Sequence, residues 1–191
     1  MNPRNTRTSS MESTRTRSMD KLAIFSFPCS GRRFTEKLLM EVGLSIHEVP
    51  GQGYKGTLSP FHADALFTHD FGLNEDYRNR RKVVIKRNPL ACFTSWFEMT
   101  VAAGGQPDTK EAWLKVVTDE WIPYWKGFAE RHHGSEVFHY EIITIAPDVY
   151  VQKLTGFAGS RTNIRAYPER NIMNFRHYDP EEFMAIEDAL K

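Results

Sequence analysis

The densest chemistry in the chain lies in one short stretch, Phe27-Pro28-Cys29-Ser30-Gly31-Arg32-Arg33-Phe34. It follows an apolar run rich in strand formers and leads into a helical pattern, so it reads as a strand-to-helix turn. Backbone N–H groups and the helix dipole at such a turn favour a bound anion, and Gly31 lets the backbone approach it closely. Ser30, Arg32 and Arg33 add side-chain donors. Each charge-assisted bond contributes about 1.5–3 kcal/mol, so three or four suffice to hold a phosphate. The competing reading is an ordinary βα turn with two solvated arginines. Cys29 also has two readings: a thiol made acidic by Arg32 and the helix N-terminus, or an inert small loop residue. The GxxxxGK[ST] spacing of a nucleoside-triphosphate loop is absent. Six residues beyond Cys29, where a thiol-phosphatase-like loop requires Arg, stands Thr35.

These residues must be held by regular elements. Strands are predicted at 21–27, 45–49, 65–71, 82–87 and 136–141, where short apolar runs are bounded by turn residues. Residues 34–42 place Phe34, Leu38, Leu39 and Val42 at helical spacing before Gly43. Further helices are predicted at 89–103, at 108–133 with a bend or break near Pro123, at 147–159, and at 179–190. The last carries an Asp N-cap and Pro at its first position. Residues 50–63, with three Gly and two Pro, read as a loop. Strands alternating with helices imply an α/β fold: three layers, a mainly parallel sheet flanked by helices. Ligands in such sheets bind at the carboxyl ends of the strands. The turn at 28–33, His69 and Arg87 all fall at predicted strand ends and are expected to converge on one crevice.

The remaining composition narrows the function classes. The 191 residues carry 25 Lys+Arg against 24 Asp+Glu, a net charge of +1, which argues against broad charge-driven binding to nucleic acid or an anionic membrane. Any anion site is therefore local. Two cysteines, Cys29 and Cys92, are too few for a disulfide scaffold or a four-cysteine zinc site. No run approaches the ~20 apolar residues of a membrane span. Residues 1–19 are expected to be a disordered tail, because they hold too little apolar surface to offset the cost of ordering, and 20–191 a single domain. A cytoplasmic location follows from this reading. Organelle targeting by the Arg-, Ser- and Thr-rich residues 1–18 is the alternative.

Taken together, FPCSGRRF after a strand, then FTHDF, then KVVIKRNPLACFTSWF resembles the sulfotransferase family. That family's first loop reads YPKSGTTW, its third strand ends in KTHLP, and its fourth leads into a VVYVxRNxxDVxxSYY segment. The similarity continues through VFHYEIITIAPDVYVQKLTGFAG and the closing FRHYDPEEFMAIEDAL, over roughly 20–190. The resemblance implies 3′-phosphoadenosine-5′-phosphosulfate (PAPS) as donor, PAP as product, and direct displacement with no required metal. The acceptor would be a hydroxyl or amine of a small molecule or glycan. It places Cys29, Ser30, Gly31, Arg32, Arg33 and Phe34 on the 5′-phosphosulfate, and Arg87 and Ser95 on the 3′-phosphate. Ser95 lies two turns into the helix that follows Arg87, so both can face the crevice. His69 matches the catalytic base, and an ordinary histidine pKa suits that task near neutrality. Asp70 is a candidate to orient its ring.

The chain departs from the family pattern in three places. Cys29 stands where Lys or Arg is common, Phe67 stands where KTHLP has Lys, and the C-terminal RKG signature is missing. Arg32 and Arg33 are the residues that would restore the charge, Arg33 joining His69 as catalytic, with Lys86 and Lys55 as weaker candidates. Arg170 or Arg165 would replace the RKG contact. Acceptor-facing residues would come from 50–64 and 103–125. There Tyr54, Phe61, Trp113, Trp121, Tyr124 and Trp125 line either a pocket or, as their helical spacing favours, the core. A kinase-like phosphotransferase and a nucleotide-binding member without transferase activity are the rival readings. A homodimer is left open.

Overall fold

The computed structural model describes residues 20–48, 63–69, 79–156, 162–164 and 171–191. The expected tail, the loop around Tyr54, Lys55 and Phe61, Asp70, Arg165 and Arg170 lie outside the described residues. Within them a five-stranded sheet runs in the order β2-β3-β1-β4-β5. Its strands are β1 (Leu22–Ser26), β2 (Ile46–Glu48), β3 (Ala65–Thr68), β4 (Arg81–Lys86) and β5 (Glu136–His139). Every adjacent pair is parallel. β1 and β3 are buried along their whole length, as expected of strands covered on both faces.

Side chains alternate between two core layers. Leu22, Ile24, Phe67, Val83 and Ile85 meet α1 (Arg32–Glu41), α5 (Tyr140–Ile145) and α6 (Pro147–Thr155) through Phe34, Leu38, Ile143 and Tyr150. Ala23, Phe25, Phe27, Leu66 and Val84 meet the opposite layer. That layer holds α2 (Pro89–Ala102), α3 (Lys110–Val116), α4 (Ile122–Arg131) and α7 (Pro180–Ala189). Each fully buried Phe or Leu contributes about 1.5–3 kcal/mol, so this alternation fixes the register of the whole sheet.

Three expectations need correction. Residues 110–131 do not break at Pro123: α3 runs into a π-helical turn, Val117–Trp121, and then into α4. Pro123 is the second residue of α4, where a missing N–H costs little. The fifth strand stops at His139 rather than 141, because α5 begins at Tyr140. The predicted 147–159 helix ends at Thr155, closed by Gly156 in the left-handed conformation at φ 73°. The C-terminal helix matches its prediction, with Asp179 accepting from the amides of Glu181 and Glu182.

The topology decides where a ligand can sit. From β1 the chain crosses through α1 to β2 on one side, and from β4 it crosses through α2–α4 to β5 on the other. Right-handed crossovers in opposite directions put their helices on opposite faces. The connections therefore diverge over the carboxyl ends of β1 and β4, leaving a crevice there.

Candidate functional site

The turn after β1 is closed by one carbonyl. Phe27 O accepts from the Ser30 amide at 3.1 Å and from Ser30 Oγ at 2.6 Å. The Ser30 hydroxyl is buried and donates inward to the carbonyl that closes the turn. Two residues take left-handed backbone, Cys29 at φ 61° and Gly31 at φ 98°. For a non-glycine residue this costs about 1–2 kcal/mol, which the turn's hydrogen bonds offset. At Gly31 a side chain is sterically excluded, since a Cβ would lie 2.2 Å from Cδ2 of Tyr140. Gly31 is the N-cap of α1, and no side chain caps that helix. The amides of Arg32 and Arg33 thus open the helix as its first-turn donors.

Arg87 follows the last residue of β4 and leans over this turn. Its Nη1 donates to the Cys29 carbonyl at 3.0 Å. Its guanidinium carbon lies 4.7 Å from the Tyr140 ring centroid, a cation–π contact. Strand register explains the second contact, because Lys86 pairs with His139 and the next residues are Arg87 and Tyr140. Nε of Arg87 is buried with no hydrogen-bond partner among the described residues. A buried guanidinium N–H without an acceptor is costly unless an anion completes it.

His69 comes from the other neighbour of β1. Phe25 pairs with Thr68, so His69 falls beside Ser26. Nδ1 of His69 lies 2.8 Å from the Ser26 carbonyl, with Ser26 Oγ 3.4 Å away. A carbonyl only accepts, so Nδ1 is the donor, and in the neutral form of the ring the lone pair is on Nε2. The hydroxyl of Tyr124, from α4, donates to the backbone carbonyl of His69 at 2.5 Å. The turn, His69 and Arg87 therefore lie along one sheet edge, on strands β3, β1 and β4.

The two arginines of the turn differ. Arg32 Nε pairs with Glu36 Oε1 at 3.3 Å, one helical turn on, which draws its charge toward the α1 surface. Arg33 is exposed and acts electrostatically on the Cys29 thiol. The idea of an acidic Cys29 is corrected. Burial pushes its pKa up to about 11, against the opposing pull of Arg87 and Arg33. Buried Cys92, in the first turn of α2, is pushed up by burial too, and it feels the charges of Arg87 and Glu141. Ser95 is half-buried and lies one turn beyond Cys92 on the same side of α2.

Other candidates are core residues. Phe34 and Phe67 pack in the layer beneath α1, and Phe67 leaves no cation at its position. Lys86 is half-buried at the end of β4. Trp113 and Trp121 are buried in the opposite layer, as their spacing implied, with Tyr124 and Trp125 half-buried against it. Ser26 and Tyr140 were not singled out as partners of the site, and Tyr124 was singled out only as a residue of an acceptor pocket or of the core. Tyr140 had a usable signal, standing just past a strand end as Arg87 does.

No family model matches the sequence, and neither does any curated protein. Among solved structures, mouse sulfotransferase SULT7A1 in complex with PAP is similar, with a TM-score of 0.53 and 15% sequence identity. The match covers 90% of this chain and 64% of that one, so this chain spans less than two thirds of its length. The likeness shows the fold: this is a sulfotransferase-like α/β domain.

Proposed function

We propose that the protein is a PAPS-dependent sulfotransferase, moving a sulfuryl group to a hydroxyl or amine of a small-molecule or glycan acceptor. The observation that carries this reading is Arg87. It bridges from β4 to the opening turn, and its buried Nε has no acceptor among the described residues. An anionic nucleotide lying over the turn would complete it. Ser95, Arg87 and the first amides of α1 would hold the two acidic ends, with Arg170 as a further contact. The PAP bound to the structurally similar mouse sulfotransferase supports the same ligand class.

His69 would serve as base. With Nδ1 held by Ser26, its Nε2 lone pair takes the acceptor proton as the acceptor oxygen or nitrogen bonds to sulfur. The sulfur–oxygen bond to the phosphate breaks in the same displacement, and PAP leaves with that electron pair. Arg33, rather than Arg32, would supply the cation that the family places at position 29, because Arg32 is engaged by Glu36.

A second reading, a nucleotide-binding member without transfer, draws on Phe67 and Cys29. Both stand at positions where the family carries cations, one in the core and the other with a neutral thiol. Mass spectrometry of an acceptor library incubated with labelled PAPS separates the two. We expect sulfated product with the wild-type chain and none with His69→Ala, while PAP binding persists in both. PAP binding with no product from any acceptor would establish the second reading. Neither binding nor product would overturn both.

A further inference from the structure

The geometry points to Tyr124 as a positioning residue for His69, an inference that rests on the sulfotransferase reading. Tyr124 reaches across 55 residues of sequence to donate its hydroxyl to the His69 carbonyl. Its ring lies 5.0 Å from Phe27, the residue next to the Ser26 that holds His69 Nδ1. The base is thus held at its ring by β1 and at its backbone by α4. His69 lies one residue past the end of β3, and the β1–β3 register ends at the Phe25–Thr68 pair.

The helix is shaped for this contact. The π-helical turn Val117–Trp121 ends three residues before Tyr124. An inserted residue rotates everything after it by about 100° relative to an uninterrupted α-helix. That rotation sets which α4 residues face the end of the sheet. Trp125 and Phe128 both pack on Phe27, at 4.9 and 6.1 Å, so Tyr124 meets His69 from an aromatic platform with little room to move. A base whose carbonyl is pinned keeps its Nδ1 on the Ser26 carbonyl.

Tyr124→Phe removes the hydroxyl and keeps the ring. Spectra of the 15N-histidine-labelled full chain report the His69 tautomer without any need for turnover. We expect the Nδ1–H form in the wild type and a mixture of tautomers in Tyr124→Phe. PAP affinity should be unchanged, and kcat should fall about tenfold with little change in KM for PAPS. Trp125→Phe, which trims the same platform without touching His69, should keep the Nδ1–H form. An unchanged tautomer in Tyr124→Phe overturns the inference, as does a changed tautomer with undiminished kcat. If the wild type transfers no sulfate, the functional reading fails, but the tautomer comparison still decides whether Tyr124 orients His69.

Discussion

At position 29 two electrostatic influences act on one thiol. Arg87 and Arg33 favour the thiolate, while burial in the turn favours the neutral form, and burial wins, leaving a pKa of about 11. The ordinary value is 9.0. At pH 8 the thiolate fraction is therefore about a hundredfold lower than that of a free cysteine. We expect iodoacetamide to alkylate Cys29 about a hundredfold more slowly than glutathione, read by peptide mass spectrometry; an equal or faster rate would contradict the burial argument. The sign for stability follows. Between pH 9 and 11 the unfolded cysteine has lost its proton and the folded one has not, so stability falls as pH rises through that window. The sequence pointed to Arg32 as the charge beside Cys29, where the structure has Arg87 and Arg33 acting on it, and it did not show how much water the turn excludes. Ser30 is a similar case, since its type advertises a donor but only the closed turn reveals that Phe27 already takes it.

At the scale of elements, α2 carries Ser95 and begins directly after Arg87. Its N-cap is Asn88, whose side chain accepts from the amides of Leu90 at 2.9 Å and Ala91 at 3.3 Å. Asn88→Ala should cost about 1 kcal/mol of stability in urea denaturation, because two first-turn donors lose their acceptor. PAP affinity should drop with it if the cap also fixes the start of α2 against the site. Unaltered stability would mean that Pro89 alone sets the helix start. The helix start was legible from Pro89, whereas the end of α6 was placed too late, at Gly159 instead of Gly156. The π-helical turn was not legible, because Trp113, Val117 and Trp121 fit an ordinary helical stripe. The last residue of that turn, Trp121, stacks on Trp96 of α2, ring centroids 4.4 Å apart and nearly parallel, a contact between distant segments that sequence periodicity does not show. The short α5 was hidden for the opposite reason. Tyr140 and Ile142–Ile143 are good strand formers, and only the sheet's end makes them turn.

For the molecule as a whole, apolar runs and turn residues located the strands and implied a parallel sheet, but they could not rank the strands across it. The order β3-β1-β4 is what brings His69, the opening turn and Arg87 to one edge. Had β4 paired elsewhere, Arg87 would not reach the Cys29 carbonyl. Resemblance to a family supplied the candidate residues, and the register supplied the reason they meet. The chain's near-zero net charge fits a site whose anion affinity is built from a few placed groups. The most direct measurement is therefore isothermal titration of the full chain with PAP, comparing wild type and Arg87→Ala. We expect saturable one-to-one binding that weakens by about 1.5–3 kcal/mol, roughly ten- to 150-fold, in the variant. Absence of binding to the wild type, or equal affinity in the two proteins, would contradict the placement of a nucleotide between the opening turn and Arg87.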